Sequence, residues 1–166
     1  MTIRFWLPCG LLTLISDEDE ALTRYAWHSH KHTASGNVYV KGRVDGRYVY
    51  LHRMITKCPP ALKVDHEDRD TLNNQRTNLR IANNWQNNSN REGWGLSGLK
   101  GVYPAGGKWR ARMMVNGEQK SLGHFPTAAE AARAYDAEAY RQFGEFAYLN
   151  YPENFPKQIN EIPFFD

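Results

Sequence analysis

The chain has 166 residues, of which 41% are hydrophobic and 23% are charged, so it fits one large or two small domains and is not disordered as a whole. The net charge of +3 is too small to indicate a partner by itself. The two cysteines, Cys9 and Cys58, fit no metal-binding spacing, and reduced thiols in the cytoplasm are favoured over a single disulfide.

The N-terminal segment FWLPCGLLTLI predicts a strand rather than a signal peptide or a membrane span. It contains an internal proline and glycine, has no small-residue cleavage site and runs directly into DEDE. It is also too short to cross a bilayer. We therefore expect a soluble protein with no membrane partner, a strand over residues 11–15 and a short helix that begins after Ser16.

The next region predicts a β-hairpin. The alternating histidines of HSHKH, residues 28–32, have no cysteine or second cluster near them, so we do not predict a metal site there. Residues 38–44 and 48–54 are alternating, β-rich runs. Asp45-Gly46 joins them, which is a strong hairpin turn.

The segment VDHEDRDTLNNQRTNLR follows the hairpin. A strand over residues 61–64 is expected to end at Asp65 and His66, and a second short strand over 79–81 follows an asparagine-rich loop. Asparagine bonds nearby backbone through its side chain, so one reading of this loop is a well-capped surface segment. The other reading is an active site whose geometry is set by amide side chains.

A helix is predicted to begin after Asn83, and it can fold back on the two strands and bring Asn87 close to Asp65. Carboxylate and amide oxygens are hard ligands that suit Mg²⁺ or Mn²⁺. A neutral His66 beside such an ion could take a proton from water. These residue types indicate metal-assisted phosphodiester hydrolysis.

LHRMI, VDHEDRDTLNN, TNLRIAN and QNNSN resemble the HNH homing-endonuclease family, whose catalytic unit is the ββα-metal fold. The resemblance covers about residues 48–91, and the upstream strand, helix and hairpin are similar to the leading region of phage and intron members. It implies that His66 is the general base, that Asp65 and Asn87 are metal ligands, and that Asn78 holds the loop and orients His66. Glu67 stands where relatives have an apolar residue, and it either raises the pKa of His66 or points to solvent.

Four arginines near this unit are candidate phosphate contacts, namely Arg53, Arg76, Arg80 and Arg91. For His52 and Arg53 the alternatives are an approach to the scissile phosphate, or a packed histidine and a surface arginine.

A glycine-containing linker over residues 92–98 precedes a second module. Residues 99–123 carry a net charge of +4, which suits a polyanion. Strands are expected over residues 100–103, 108–115 and 119–125, followed by a helix from Thr127 to Gly144. Strand alternation places Trp109 and every second residue to Val115 against this helix. The opposite, exposed face is predicted to bind DNA, with its candidate contacts on the three strands and their flanks: Lys100, Tyr103, Lys108, Arg110, Arg112, Met114, Gln119 and Ser121.

KGV, KWRARMMVNG, SLGHF and the helix that follows resemble the APETALA2/ethylene-response-factor DNA-binding domain over residues 98–152. That family packs a three-stranded sheet on one helix and reads DNA from the exposed face of the sheet. Positions that are arginine or tryptophan in plant members are here Tyr103, Met114, Gln119 and Ser121, so the plant target sequence does not transfer.

Together these patterns predict an α+β protein with an HNH nuclease domain over residues 1–91, a linker over 92–98, a DNA-binding domain over 99–152 and an extended tail over 153–166. The expected activity is metal-dependent cleavage of double-stranded DNA, of the homing type, leaving 5′-phosphate and 3′-hydroxyl ends. Mg²⁺ is the expected ion, Mn²⁺ its substitute, and no small-molecule cofactor is expected. The place of action is the cytoplasm, that of the host if the protein is phage-encoded.

The alternative is a catalytically inactive DNA-binding regulator, whereas a nuclease directed at RNA is disfavoured because the sheet lacks a row of stacking aromatics.

Overall fold

The computed structural model describes residues 1–33, 35–93 and 96–156. These residues form several small, mainly antiparallel sheets and few helices, which confirms the predicted α+β class. They divide into two compact units, of which the first is Met1–Asn83 and the second begins at Asn84. No helix in the described ranges is long and apolar enough to cross a membrane.

The first unit is built from a mixed sheet (β1-β2-β7), an antiparallel sheet (β3-β4-β5), a two-stranded pair (β6-β8) and one short helix. Its elements are β1 (Thr2–Trp6), β2 (Leu12–Ser16), β3 (Trp27–Lys31), β4 (Val38–Val44), β5 (Arg47–Tyr50), α1 (Leu51–Thr56), β6 (Lys63–His66), β7 (Asn73–Asn74) and β8 (Leu79–Ala82). Their core side chains are Leu7, Ile15, Trp27, Val40, Val44, Leu51, Ile55 and Leu79.

The predicted hairpin turn is present between β4 and β5. Asp45 and Gly46 have φ values of 48° and 80°, which is the left-handed backbone that a two-residue turn of this kind requires. The second strand is shorter than predicted, because β5 ends at Tyr50 and the chain continues as helix α1. Leu51 and Ile55, four residues apart, are both buried, so the short apolar run follows the helical period and not the strand period.

The helix expected after Ser16 is a 3₁₀-helix over Asp17–Arg24, and the Ser16 side chain does not cap it. Its hydroxyl oxygen instead accepts a hydrogen bond from the backbone N–H of Arg76 at 3.0 Å. Ser16 therefore ties the start of this helix to the loop that follows β7.

The second unit contains a short helix, a three-stranded antiparallel sheet in the order β11-β10-β9 and a long helix packed on the sheet. The elements are α2 (Asn84–Ser89), β9 (Val102–Ala105), β10 (Lys108–Val115), β11 (Glu118–Phe125) and α3 (Ala128–Phe143). Helix α3 begins with the predicted capping box, in which the Thr127 hydroxyl accepts a bond from the Glu130 N–H at 3.2 Å. It ends at Gly144, also as predicted.

The alternation predicted for β10 is confirmed by the packing. Trp109, Ala111 and Met113 face helix α3, where Ala131 and Tyr135 are among the buried residues. Two features differ from the predictions: β9 begins at Val102, not at residue 100, and helix α2 is grouped with the second unit, not with β6 and β8.

The ends of the predicted linker and tail are only partly within the described ranges. Trp94 and Gly95 of the linker and residues 157–166 of the tail lie outside them. Within the described part of the tail, Pro152–Asn154 forms a 3₁₀ turn.

Candidate active site and nucleic-acid surface

Strands β6 and β8 place Asp65 and His66 at the end of an antiparallel pair. Asp65 lies opposite Arg80, and His66 lies opposite Leu79. Asp65 is 5% exposed and His66 is 4% exposed. Such burial is unusual for a carboxylate and an imidazole, so their neighbours determine their chemistry.

The loop that follows His66 is closed by the side chain of Asn78. Its amide nitrogen donates to Asp68 Oδ1 at 2.9 Å and to the Asn73 carbonyl at 2.7 Å, and its oxygen accepts from the Asp68 N–H at 3.0 Å. The Asn78 carbonyl also accepts from the backbone N–H of Glu67 at 2.9 Å. These bonds are the ones expected of a residue that fixes the position of the strand end at His66.

The hydrogen-bond partner placed on His66 is Asn74, a residue that the sequence analysis did not single out. His66 Nε2 lies 3.4 Å from Asn74 Oδ1. The Asn74 amide nitrogen is occupied by Thr13 and by the Leu72 carbonyl, so its oxygen faces the imidazole and accepts from Nε2–H. Nδ1 of His66 then carries the lone pair. Asn74 is positioned by its pairing with β2, a long-range contact that leaves no local sequence pattern.

Burial favours the neutral form of His66. Burial lowers its pKa, whereas the bond to Asn74 and the charges of Asp65, Asp68 and Asp70 act in the opposite direction. A neutral imidazole at neutral pH is able to accept a proton. Glu67 is exposed, which supports the reading in which this side chain points to solvent.

His52 is packed beside His66, and both side chains are buried. The two rings are 5.4 Å apart, and His52 stacks on Tyr50 at the same centroid distance. Burial, together with the neighbouring charges of His66 and Arg53, lowers the pKa of His52 to about 3. Its Nδ1 has no hydrogen-bond partner among the described residues, so of the two alternatives the structure supports a packed histidine.

Acid is expected to destabilise the first unit through His52. Because the folded-state pKa is about 3 and the free value is about 6.5, the unfolded chain binds the extra proton between these two pH values. This contribution to the free energy of unfolding is complete above the free pKa and is lost as the pH falls towards the folded-state pKa, by about 5 kcal/mol at most. His66 contributes a loss of the same sign. Urea unfolding of the wild type and of His52→Phe across this range measures the effect, and the variant should have the shallower pH dependence.

Asp65 forms a buried ion pair with Arg80. Arg80 Nε lies 3.2 Å from Asp65 Oδ2, and its Nη2 bonds the same oxygen. Both side chains are nearly inaccessible to solvent. The expectation that Arg80 contacts a phosphate is therefore corrected, since its guanidinium neutralises the carboxylate on the facing strand.

Two other arginines predicted to contact phosphate also form hydrogen bonds to groups within the protein. Arg53 donates to three backbone carbonyls, those of Cys58, Pro59 and Leu62, at 2.8 to 3.0 Å. Arg76 forms a bidentate ion pair with Asp19, in which Nε donates to Oδ2 at 2.9 Å and Nη2 donates to Oδ1 at 2.8 Å. These side chains hold loops in place, and sequence reasoning had no means of finding their partners. Arg91 is exposed, and its role as a phosphate contact stays a prediction.

The predicted metal donors are divided between the two units. Asp65, together with His66 and Asn78, lies in the first unit, and Asn87 lies on α2 in the second. In the described ranges, no group of three or more His, Cys, Asp or Glu side chains is placed to hold a metal ion. The donor chemistry still fits a hard divalent cation, because a carboxylate oxygen of Asp65 and the amide oxygen of Asn87 are the ligand types that Mg²⁺ and Mn²⁺ accept.

The open face of the second unit's sheet is basic and includes a cation–π contact between an arginine and a tyrosine. The Arg112 guanidinium carbon lies 3.9 Å from the centre of the Tyr103 ring, and Nη1 donates to Gln119 Oε1 at 2.9 Å. Arg110 shares this face through its pairing with Tyr103 and with His124, and His124 is a further member that the sequence analysis missed.

The remaining predicted residues of this face differ in their exposure. Met114 is 54% exposed, and Lys108, Gln119 and Ser121 are also exposed. A register shift after Ala111 sets Arg112 opposite Ser121, so that Ser121 stays on the open face.

Lys100 is not part of the β-sheet. It precedes β9, and its ammonium group donates to the carbonyls of Ser89 and Arg91 at the end of α2. The prediction that Lys100 belongs to the DNA-contacting strand face is corrected on this ground.

Comparisons with known proteins give two relatives. The chain is 32% identical over 144 residues to an uncharacterized HNH endonuclease of Acanthamoeba polyphaga mimivirus, and the match covers 85% of this chain and 75% of the relative. It is 42% identical over 55 residues to dehydration-responsive element-binding protein 2A of Arabidopsis thaliana, a match that covers 32% of this chain and 16% of the plant protein. No protein-family model matches the chain, and no solved structure matches it at a significant level. Because the viral relative aligns over most of both chains, this protein belongs to the HNH endonuclease family.

Proposed function

We propose that the protein is a metal-dependent endonuclease that hydrolyses phosphodiester bonds in double-stranded DNA. The observation that carries the proposal is the buried His66, bonded to Asn74 and next to Asp65 at the end of β6, in a chain that belongs to an endonuclease family. A base of this kind accepts a proton from water, and the hydroxide attacks phosphorus in line with the leaving oxygen.

Each residue of the proposed site has its own role, and all of them except Asn87 belong to the first unit. His66 takes the proton through Nδ1, Asn74 fixes the imidazole by accepting from Nε2–H, and Asn78 keeps the following loop closed. Asp65 and Asn87 would hold Mg²⁺, or Mn²⁺ in its place. The bound ion would stabilise negative charge on the 3′ leaving oxygen. Loss of that oxygen leaves a 5′-phosphate and a 3′-hydroxyl end.

The second unit would bind the DNA site. Its open sheet face presents Arg110, Arg112 and Lys108, and the match to a plant protein named as an element-binding protein supports DNA as the ligand. We propose the domain limits 1–91 and a homing type of endonuclease from the resemblance to the HNH homing-endonuclease family. We propose the limits 99–152 from the resemblance to the APETALA2/ethylene-response-factor domain. Joining the two modules raises the local concentration of the nuclease at the bound site.

A second candidate is a DNA-binding regulator without catalytic activity. The buried pair of Asp65 with Arg80 favours it, because an arginine already neutralises the carboxylate that would hold the ion.

Metal-dependent cleavage separates the two candidates. Supercoiled plasmid and linear duplex are incubated with the full chain in Mg²⁺, Mn²⁺ or EDTA. We expect nicked or linear products in either metal and none in EDTA, because the proposed chemistry requires the cation. The ratio of nicked to linear plasmid measures how many strands are cut.

Binding is the control for this assay. A folded wild type that retards the duplex in EDTA but never cuts it in either metal over a range of pH would establish the regulator. Equal cutting of a matched RNA would contradict the choice of DNA as substrate.

A further inference from the structure

The outer face of the β3-β4-β5 sheet carries only basic and aromatic residues. In the β-pairing, His28 lies opposite Lys41, His30 opposite Tyr39, Lys41 opposite Tyr50, and Arg43 opposite Tyr48. Directly opposed residues share a face of the sheet. The outer face therefore consists of His28, His30, Tyr39, Lys41, Arg43, Tyr48 and Tyr50, and none of these positions is acidic.

The other face of the same sheet explains why this one is open. Trp27, Val40 and Val44 point to the opposite side and belong to the core of the first unit. On the outer face, Tyr48 is 67% exposed, and His28 and Arg43 are exposed too. A solvated sheet face carries mixed charges and small polar residues, whereas this one carries large rings and cations.

Three rings of the outer face, those of His30, Tyr50 and Tyr39, form a series that reaches His66. Tyr39 lies 6.3 Å from His66 and 6.0 Å from Tyr50, measured between ring centres. Tyr50 is 5.8 Å from His30, and Tyr48 is 6.5 Å from His28. The surface is thus joined to the proposed catalytic histidine within one unit of the protein.

The cation at the centre of the face has no acidic partner there. The Lys41 ammonium lies 5.1 Å from the Tyr48 ring centre and 5.5 Å from that of Tyr50. Arg43 is exposed and donates from Nε to the Gly46 carbonyl in the turn at 3.2 Å. Imidazole, phenol, ammonium and guanidinium groups all donate hydrogen bonds to phosphate oxygens.

We propose that the outer face of the β3-β4-β5 sheet binds the sugar-phosphate backbone of duplex DNA beside the phosphate that is cut. This inference rests on the proposed function and extends it by naming the surface. The charge complementarity selects a polyanion as the occupant.

The test is the salt dependence of DNA binding by the full chain. The Lys41→Gln/Arg43→Gln double variant removes both cations from the face. Lys31→Gln/Arg47→Gln is the matched control, since it removes the same two residue types from the same sheet. Lys31 and Arg47 are exposed but lie opposite Val38 and Val44. They therefore belong to the face of the sheet opposite to that of Lys41 and Arg43. Fluorescence anisotropy with a labelled duplex in EDTA gives the affinity at each salt concentration without cleavage.

We expect the slope of log K against log salt to fall by about 2 in the face variant, because each phosphate contact contributes about 0.9. The control pair should keep the wild-type slope. The charge-keeping variant Lys41→Arg/Arg43→Lys should keep it as well, which separates loss of charge from misfolding.

A hydroxyl-radical footprint gives the second readout. The face variant should lose protection next to the cut position and keep the protection given by the second unit. Equal slopes and equal footprints for the face and control variants would overturn this inference while leaving the proposed function intact. A wild type that binds no duplex at all would overturn both.

Discussion

Replacing His66 by alanine should reduce DNA cleavage about a thousandfold or more while leaving DNA affinity in EDTA close to that of the wild type. General-base catalysis contributes about 10²- to 10⁴-fold, and His66 is the buried imidazole at the end of β6, whose pKa burial lowers. The single-turnover rate on plasmid in Mg²⁺ is the measurement. Saturating protein is used so that a change in affinity does not enter the rate.

His52→Phe is the matched control for this experiment. His52 is a second buried imidazole, with its ring centre 5.4 Å from that of His66, and phenylalanine keeps a ring in its place beside Tyr50. We expect this variant to cut within about tenfold of the wild type. If His52→Phe were inactive and His66→Ala active, the base would be His52, and the assignment made from the sequence would be wrong.

The parts of the fold that the sequence predicted are those set by neighbouring residues. The Asp45-Gly46 turn requires left-handed backbone, the Thr127–Glu130 capping box joins residues three apart, and the alternation along β10 has a period of two. Each of these is complete within a few residues of the chain. For this reason the second unit was predicted almost element by element.

Helix α1 was predicted as strand because the local signal there is ambiguous. Residues 48–54 are a short apolar and aromatic run, and strand and helix periods cannot be told apart over seven residues. The burial of Leu51 and Ile55 against the core decides the matter, and that core is assembled from distant parts of the chain.

Sequence patterns could not predict the partners of the arginines. An arginine beside a predicted active site suggests a phosphate contact, but Arg76 pairs with Asp19, 57 positions away, and Arg80 with Asp65, 15 positions away. A guanidinium binds the nearest fitting oxygens in the folded chain, whether these come from a carboxylate or from carbonyls as at Arg53.

Of two asparagines in the loop after β6, one was predicted to act at the site and the other was not. Asn78 was singled out from the resemblance, and its amide closes the loop as a loop-holding residue should. Asn74 was not singled out, although it is fully buried and contacts His66. What distinguishes the two is the parallel pairing of β7 with β2, a contact between segments about 60 residues apart in sequence.

The pair of Arg80 with Asp65 should be the most stability-sensitive contact of the first unit. Arg80→Met leaves the Asp65 carboxylate buried without its counter-charge, which costs about 3–5 kcal/mol for a pair of this kind. Amide hydrogen exchange of β6 and β8 measures the loss, because slower-exchanging amides in these strands report the opening of this unit. The amides of α3 in the second unit are the internal control and should keep their wild-type protection.

The Asp65→Leu/Arg80→Met double variant distinguishes an uncompensated charge from a loss of packing. Removing both charges also removes the desolvation penalty, so the double variant should recover most of the protection that Arg80→Met loses. A double variant as unstable as the single one would mean that the guanidinium acts through packing alone. A loss below about 1 kcal/mol in Arg80→Met would mean that water reaches the pair, as it does in surface ion pairs. The same carboxylate is the proposed metal ligand, so Arg80 competes with the cation for the oxygens of Asp65. The strength of the Arg80–Asp65 pair and the affinity of Asp65 for a cation should therefore change together.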